Sequence, residues 1–200
     1  MTMPTNQGVN PVLQGGGERD SRSLEPKANP KGGGAAPAGR PELLTPTLAE
    51  LADFVVEECE RLDEGAYESW LELFAEDGLY WVPLAHGQES PDSDHSLFSE
   101  NPALLRMRVA RLRHPAAHGM AGPLRTSRVV GGFRLLEAGS ETARVSARFV
   151  LVEYENERER LFAGKYTYDL RRMAAGWRIA RKRVDLINCD APLASIQILL

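Results

Sequence analysis

The hydrophobic pattern of this 200-residue chain predicts an α+β fold with its helices first and a curved antiparallel sheet after them. Apolar residues between about positions 47 and 75 recur every three or four residues, which is the spacing of an amphipathic helix. Beyond Pro115 the pattern changes to long alternating runs, which are typical of strands. We therefore expect N-terminal helices packed on one face of a sheet that curls into an open cone.

The first 44 residues differ in composition from the rest of the chain. They contain glycine runs at 15–17 and 32–34, many prolines and almost no large apolar side chains. Such a segment cannot bury enough apolar surface to offset the entropy lost on ordering. We therefore expect a disordered Gly/Pro-rich tail over 1–44 and one globular domain over 45–200.

The first helix has two possible start signals. Pro46 suits the first helical position after Thr45, and Thr47 with Glu50 forms a capping-box pattern. Its apolar stripe consists of Leu48, Leu51, Val55 and Leu62. The acids expected to face solvent on this helix are Glu57, Glu58 and Glu60.

Two further helices and a short strand complete the first half. A second helix is expected from Tyr67 to about Ala75, followed by a strand over 79–83 and a loop over 85–96. Asn101 and Pro102 then make a good start for a third helix that continues until Pro115.

Three long antiparallel strands are expected in the second half, over 142–154, 161–172 and 176–188. In the first of them Val145, Ala147, Phe149 and Leu151 share one face. Gly176 suits a hairpin turn between the last two strands.

Charge and composition disfavour several classes of partner. A formal net charge of −4 and a pI of about 5.7 give no long-range attraction to nucleic acid or to an anionic membrane. The sequence has neither a signal-peptide pattern nor a membrane-length apolar run, so the expected location is the cytoplasm. Cys59 and Cys189 stand alone and are expected to be two buried thiols.

The sequence contains no short cofactor-binding motif: GxGxxG, the Walker loop and GxSxG are all missing. His114 and His118 are four residues apart, but Pro115 separates them and no HExxH pattern is present. The basic stretches 106–113 and 178–183 are interpreted as solvated faces or as surfaces for ion pairs between subunits.

Large aromatic residues concentrate in YESWLELFAEDGLYWVP, residues 67–83. Because such side chains bury much area, we expect a structural core at this helix-to-strand corner. The predicted core aromatics are Trp70, Phe74, Tyr80, Trp81 and, further along, Trp177. Tyr80 or Trp81 could alternatively line the mouth of the cone.

The same stretch resembles a signature of the small (β) subunits of aromatic-ring-hydroxylating dioxygenases. The matching residues are Leu62, Asp63, Trp70, Leu71, Leu73, Phe74, Asp77, Tyr80, Trp81 and Pro83. Further agreement comes from four later stretches: Arg111-Leu112 at the end of the third helix, RTSR at 125–128, GKYTYDLRR at 164–172 and GWRIARKRVDLINCD at 176–190. The resemblance covers about residues 48–200. Gly131-Gly132 departs from the pattern and predicts a local bulge.

This resemblance implies an NTF2-like cone, similar to nuclear transport factor 2. It also implies a trimer of β subunits bound to a trimer of large α subunits, an α3β3 hexamer. In that family the α subunit carries a Rieske [2Fe-2S] cluster and a mononuclear non-haem iron. This chain lacks the paired Cys and His of a Rieske centre and the two-His-one-carboxylate pattern of such an iron site. We expect no catalytic, metal or cofactor residue on it.

Seven residues are predicted to contact neighbouring subunits: Arg111, Arg125, Arg128, Tyr166, Asn188, Asp190 and Ile198. The aliphatic segment APLASIQILL, residues 191–200, is predicted to be exposed and to dock onto a neighbour.

Two alternatives stay open. A stand-alone dehydratase or isomerase of the same fold would need an acid or base in the cone, with Tyr80, His114, Tyr166 and Asp63 as candidates. A small-ligand-binding module would need a closed, dry pocket instead.

Overall fold

The computed structural model describes residues 44–93, 95–113 and 124–200, and within them helices precede most of a six-stranded sheet, as predicted. The elements are α1 (Leu48–Asp63), α2 (Tyr67–Leu71), β1 (Phe74–Pro83), β2 (Ser96–Glu100), α3 (Pro102–Leu112), β3 (Arg125–Ala138), β4 (Thr142–Glu155), β5 (Arg158–Met173) and β6 (Gly176–Leu186). The tail predicted over 1–44 lies outside the described residues except for Leu44. No helix in the described ranges is long and apolar enough to cross a membrane.

Helix α1 begins at the second of its two predicted start signals. The Thr47 hydroxyl accepts a hydrogen bond from the Glu50 amide at 3.2 Å, which caps the first turn. The Glu50 carboxylate does not complete a capping box, because it accepts instead from Trp177 Nε1 at 2.8 Å. The start of α1 is thereby tied to β6.

The strands follow the order β2-β1-β6-β5-β4-β3. All neighbours are antiparallel except β1 and β6, which run parallel. The bulge predicted at Gly131-Gly132 is confirmed: the β3–β4 register shifts between Gly131 and Arg134, and Gly132 has a φ of 63°. Gly164 allows β5 to approach β6 closely, since a Cβ there would lie 2.1 Å from the Asp185 carbonyl oxygen.

The corner between α2 and β1 differs from the prediction. Helix α2 ends at Leu71 rather than near Ala75, and β1 begins at Phe74 rather than near Leu79. The reason is a tertiary hydrogen bond: the Ile179 amide donates to the Leu73 carbonyl at 2.7 Å and draws this stretch into the sheet. Strand β2, which pairs with β1, was not predicted.

The core lies between the helices and the inner face of the sheet. The four predicted inward residues of β4 are all buried: Val145, Ala147, Phe149 and Leu151. At the corner, the Trp70 ring meets the rings of Phe74 and Tyr80 edge-on, at centroid distances of 5.0 and 6.3 Å. Trp177 is buried as well.

Trp81 is buried on the opposite face of the sheet from Tyr80, because consecutive strand residues point to opposite faces. Its indole Nε1 donates to the Ser96 hydroxyl at 2.9 Å, and the Arg183 guanidinium lies 4.4 Å from its ring centroid. The aromatic cluster thus supports both faces of β1.

Replacing Trp70 with alanine should lower the free energy of unfolding by roughly 3 to 5 kcal/mol, since the side chain is fully buried among aromatic neighbours. Urea unfolding followed by circular dichroism measures this. Met107→Ala on the exposed side of α3 is the control and should change stability by less than about 0.5 kcal/mol. Equal stability of the two variants would contradict the core assignment.

Candidate functional site

A buried ion pair occupies the interior of the cone. Lys182 Nζ on β6 donates to Glu58 Oε1 on α1 at 2.7 Å, and both side chains have 0% exposure. A charge removed from water in this way is tolerated only when it is paired and its remaining hydrogen-bonding atoms are satisfied.

The Glu58 carboxylate receives three further hydrogen bonds. Trp70 Nε1 donates to Oε1 at 2.5 Å, the Tyr168 hydroxyl donates to Oε2 at 2.9 Å, and the Cys59 thiol donates to Oε2 at 3.6 Å. The four donors come from α1, α2, β5 and β6, so this one carboxylate joins four elements of the fold.

The prediction that Glu58 faces solvent was wrong. Glu58 lies three residues after Val55 and four before Leu62, so it falls on the apolar stripe of α1 and points inward. Lys182 was likewise counted in a solvated basic stretch, although it lies two residues before Val184 on the inward face of β6. Helical and strand periodicity were the signals that could have identified both residues.

The electrostatics favour an ionised carboxylate. Burial raises the pKa of Glu58, but the charge and hydrogen bond of Lys182 and the hydrogen bond of Trp70 outweigh it, and the pKa is lowered overall. Burial and the adjacent Glu58 charge raise the pKa of the Cys59 thiol to about 12. Cys59 is therefore a neutral donor, and both predicted thiols, Cys59 and Cys189, are free and buried.

Three tyrosine rings surround the Lys182 ammonium group. Its Nζ lies 4.6, 5.7 and 5.9 Å from the ring centroids of Tyr166, Tyr168 and Tyr80. The Tyr166 ring also stacks on Phe149 with a centroid distance of 3.9 Å. The ammonium group thus lies among ring faces that attract a cation.

A second charged pair lies on the wall of the cone. The Arg128 side chain is only 1% exposed and forms an ion pair with Asp63 through Nη1. Asp63 also accepts from the Arg128 amide at 2.6 Å and from the Thr126 hydroxyl at 2.8 Å. The Asp63 carboxylate is thereby fixed at the junction of α1 and β3.

The prediction that segment 191–200 is exposed was wrong for its second half, which fills the interior of the cone. Ile196, Ile198, Leu199 and Leu200 are all buried. The Leu200 amide donates to the Tyr80 hydroxyl at 3.0 Å, and the Tyr80 hydroxyl donates to the Leu200 carbonyl at 3.3 Å. Arg128 Nη2 donates to the Leu199 carbonyl.

The predicted subunit-contact residues separate into two groups. Three of them lie inside the domain, because their side chains are buried within this chain: Arg128, Tyr166 and Ile198. The exposed candidates are Arg111, Arg125, Asn188 and Asp190.

Among the described residues, the candidate acids and bases Asp63, Tyr80 and Tyr166 are not paired with one another. Asp63 is bound to Arg128, Tyr80 to Leu200, and Tyr166 stacks on Phe149. His114 lies outside the described residues.

One group of possible metal ligands occurs in the described part of the chain, at His86, Cys189 and Asp190. Their ligand atoms all lie within 4.8 Å of one another, and His86 Nε2 is 3.5 Å from Asp190 Oδ1. Burial and the Asp190 charge raise the pKa of the Cys189 thiol.

Replacing Lys182 with methionine should destabilise the fold by about 3 to 5 kcal/mol, because Glu58 is then a buried charge without a cation. Chemical unfolding at neutral pH measures the loss. Glu58→Gln combined with Lys182→Met should recover part of it, and Lys165→Met at an exposed position serves as the control. A double variant less stable than Lys182→Met alone would contradict the proposed cost of the unpaired charge.

Lowering the pH should decrease the free energy of unfolding, because the Glu58 carboxylate becomes protonated. Because its folded-state pKa is lowered, the ionised carboxylate stabilises the fold above the unfolded value of about 4.3, and this contribution is lost as the pH falls below that value. Glu58→Gln should therefore flatten the pH dependence of the unfolding free energy between about pH 5 and about pH 3. Glu60→Gln, at an exposed position of the same helix, is the matched control.

Comparisons with known proteins agree with this fold. A curated relative, the small oxygenase component of the p-cumate 2,3-dioxygenase system of Pseudomonas putida, is 34% identical over 142 residues, which is 70% of this chain and 79% of the relative. The crystal structure of the β subunit of benzoate 1,2-dioxygenase from Burkholderia mallei superposes with a TM-score of 0.64 at 23% identity, covering 76% of this chain and 97% of that one. A naphthalene 1,2-dioxygenase structure with indole in its active site gives a TM-score of 0.65 at 17% identity, covering 76% and 85%. The predicted NTF2-like cone is confirmed.

The sequence also matches the family model described as "Ring hydroxylating beta subunit" over residues 57–191, which is more than half of the chain. The matched range contains the Glu58–Lys182 pair and the aromatic corner. This match and the identity to the p-cumate relative confirm the resemblance: the chain belongs to the family of β subunits of aromatic-ring-hydroxylating dioxygenases.

Proposed function

We propose that this chain is the non-catalytic, metal-free β subunit of a terminal oxygenase that dihydroxylates aromatic compounds. In this proposal it binds the large α subunit, forms a trimer with two further copies of itself and holds three α subunits in an α3β3 ring. The Rieske cluster and the mononuclear iron belong to the α subunit. Membership of the β-subunit family supports this assignment.

The observation that carries the proposal is an apolar patch on the outer face of the sheet. This outer apolar patch consists of Val129, Val150, Val152, Leu161 and Ile187, with exposures of 72, 42, 37, 66 and 68%. The residues are neighbours across three strands and the end of a fourth, because Val129 pairs with Val150 and Val152 pairs with Leu161. The Ile187 amide donates to the carbonyl of Ala163, which pairs with Val150.

Charged residues border the outer apolar patch along the strands. One flanking row contains Arg148, Lys165 and Asp185, which lie opposite one another in the register of β4, β5 and β6. An apolar centre with a charged rim is the usual composition of a subunit interface. We assign this surface to contact with another copy of the chain.

The interior supports the non-catalytic part of the proposal. A general acid or base must reach its substrate and carry a pKa suited to proton transfer. Glu58 instead has four donors, a lowered pKa and no exposure. Its charge is used to join elements of the fold.

Co-expression with the large oxygenase subunit should yield a stable complex of equal stoichiometry that is brown, because iron–sulfur clusters absorb visible light. The chain alone should be colourless. Native mass spectrometry and a visible spectrum of both preparations measure this. The proposal would be wrong if the chain did not bind the large subunit in the co-expression and converted a small molecule without iron. That outcome would favour the stand-alone enzyme of the same fold.

Charges placed in the outer apolar patch should disrupt self-association. Leu161→Glu combined with Ile187→Glu buries two unpaired carboxylates in the proposed interface, and the trimer should dissociate to monomer. Analytical ultracentrifugation of the chain alone measures the mass. Met107→Glu, at an exposed position of α3, is the control and should stay trimeric. If the double variant remained a trimer, the outer apolar patch would not be the surface through which the copies associate.

A further inference from the structure

We propose that the interior of the cone is a peptide-binding site whose occupant is the chain's own segment 196–200. The segment occupies the site as a detachable ligand, and a separate peptide of the same sequence can take its place. This inference goes beyond the assembly role and does not depend on it.

The segment is held in the way that an extended peptide is held in a groove. Its polar contacts use main-chain atoms: the Leu199 carbonyl accepts from Arg128, and the Leu200 amide and carbonyl both bond to the Tyr80 hydroxyl. Its aliphatic side chains fill the apolar core, where Ile198, Leu199 and Leu200 are 3, 2 and 0% exposed. Peptide-binding grooves obtain their affinity from the same two contributions, main-chain hydrogen bonds and buried side chains.

The segment belongs to no strand or helix of the fold. Strand β6 ends at Leu186, and most of the connecting residues 187–195 are exposed. Near the entrance, Arg160 Nη1 donates to the Ser195 carbonyl at 2.8 Å. Since the six strands pair without residues 196–200, the segment can leave while the sheet keeps its hydrogen bonds.

An open cleft lies beside the point where the segment enters the cone. It has a volume of about 470 Å³ and lies between α3 and the segment. Its lining includes Phe98, Arg108, Arg111, Ser195, Ile196 and Gln197. Ser195, Ile196 and Gln197 therefore form part of the wall of an open cleft at the point where the segment enters the cone.

A cleavage experiment tests the proposal on the full chain. A protease recognition sequence inserted in the exposed stretch 191–194 allows the chain to fold first and to be cut afterwards. A fluorescently labelled synthetic peptide of residues 195–200 is then added, and binding is followed by anisotropy. We expect the labelled peptide to exchange into the cut protein and not into the uncut protein. A scrambled peptide of the same composition is the control.

Tyr80→Phe should weaken binding of the labelled peptide about tenfold, because both hydrogen bonds to Leu200 are lost. Tyr154→Phe, at an exposed position on β4, should leave the affinity unchanged. A cut protein that keeps its circular dichroism spectrum and yet takes up no peptide would overturn the proposal. So would equal uptake of the scrambled peptide.

If the cut protein loses its circular dichroism spectrum once the segment is released, excess peptide of residues 195–200 should restore the spectrum, whereas the scrambled peptide should not. A cut protein that stays unfolded in excess peptide would overturn the proposal. Binding of the α subunit is measured separately, so failure of the peptide site and failure of the assembly role can be distinguished.

Discussion

The fold depends on the ion pair between Glu58 and Lys182 at the centre of the cone. Removing two charges from water is costly, and a simple pair in a protein interior often contributes little net stability. Here the carboxylate also accepts from Trp70, Tyr168 and Cys59, so its oxygens are satisfied by groups from several elements. The interaction therefore fixes how helix and sheet are placed relative to each other, because another arrangement would leave a buried charge unpaired.

Polar side chains lie among apolar ones in the interior of the domain. Charged and hydroxyl-bearing side chains inside the cone are surrounded by buried aliphatic and aromatic residues, and they bond to each other or to segment 196–200. Other aliphatic side chains are exposed on the outer face of the sheet, in the outer apolar patch. A closed interior and an exposed apolar patch suit a protein that acts through association, which is the basis of the proposed scaffold role.

Much of the fold could be predicted because its signals are local. The Thr47 cap, the alternation of β4 and the bulge at Gly131-Gly132 each depend on a few neighbouring residues. Errors occurred where distant residues decided the outcome. Helix α2 ends early because Ile179, more than a hundred positions away, bonds to Leu73. Burial of Glu58 was visible in its helical spacing, but composition alone favours exposure for a glutamate.

The sequence by itself determined the α+β order, the cone and the family, because hydrophobic period and motif order are properties of the chain. Only the tertiary structure decided that segment 196–200 lies in the cone and that Arg128, Tyr166 and Ile198 face inward. An aliphatic run is equally suited to a partner's surface and to its own domain's interior, since the hydrophobic effect has no direction. Tyr80 and Arg128 decide between them by donating hydrogen bonds to the segment, and their side chains are brought to the segment only by the curled sheet.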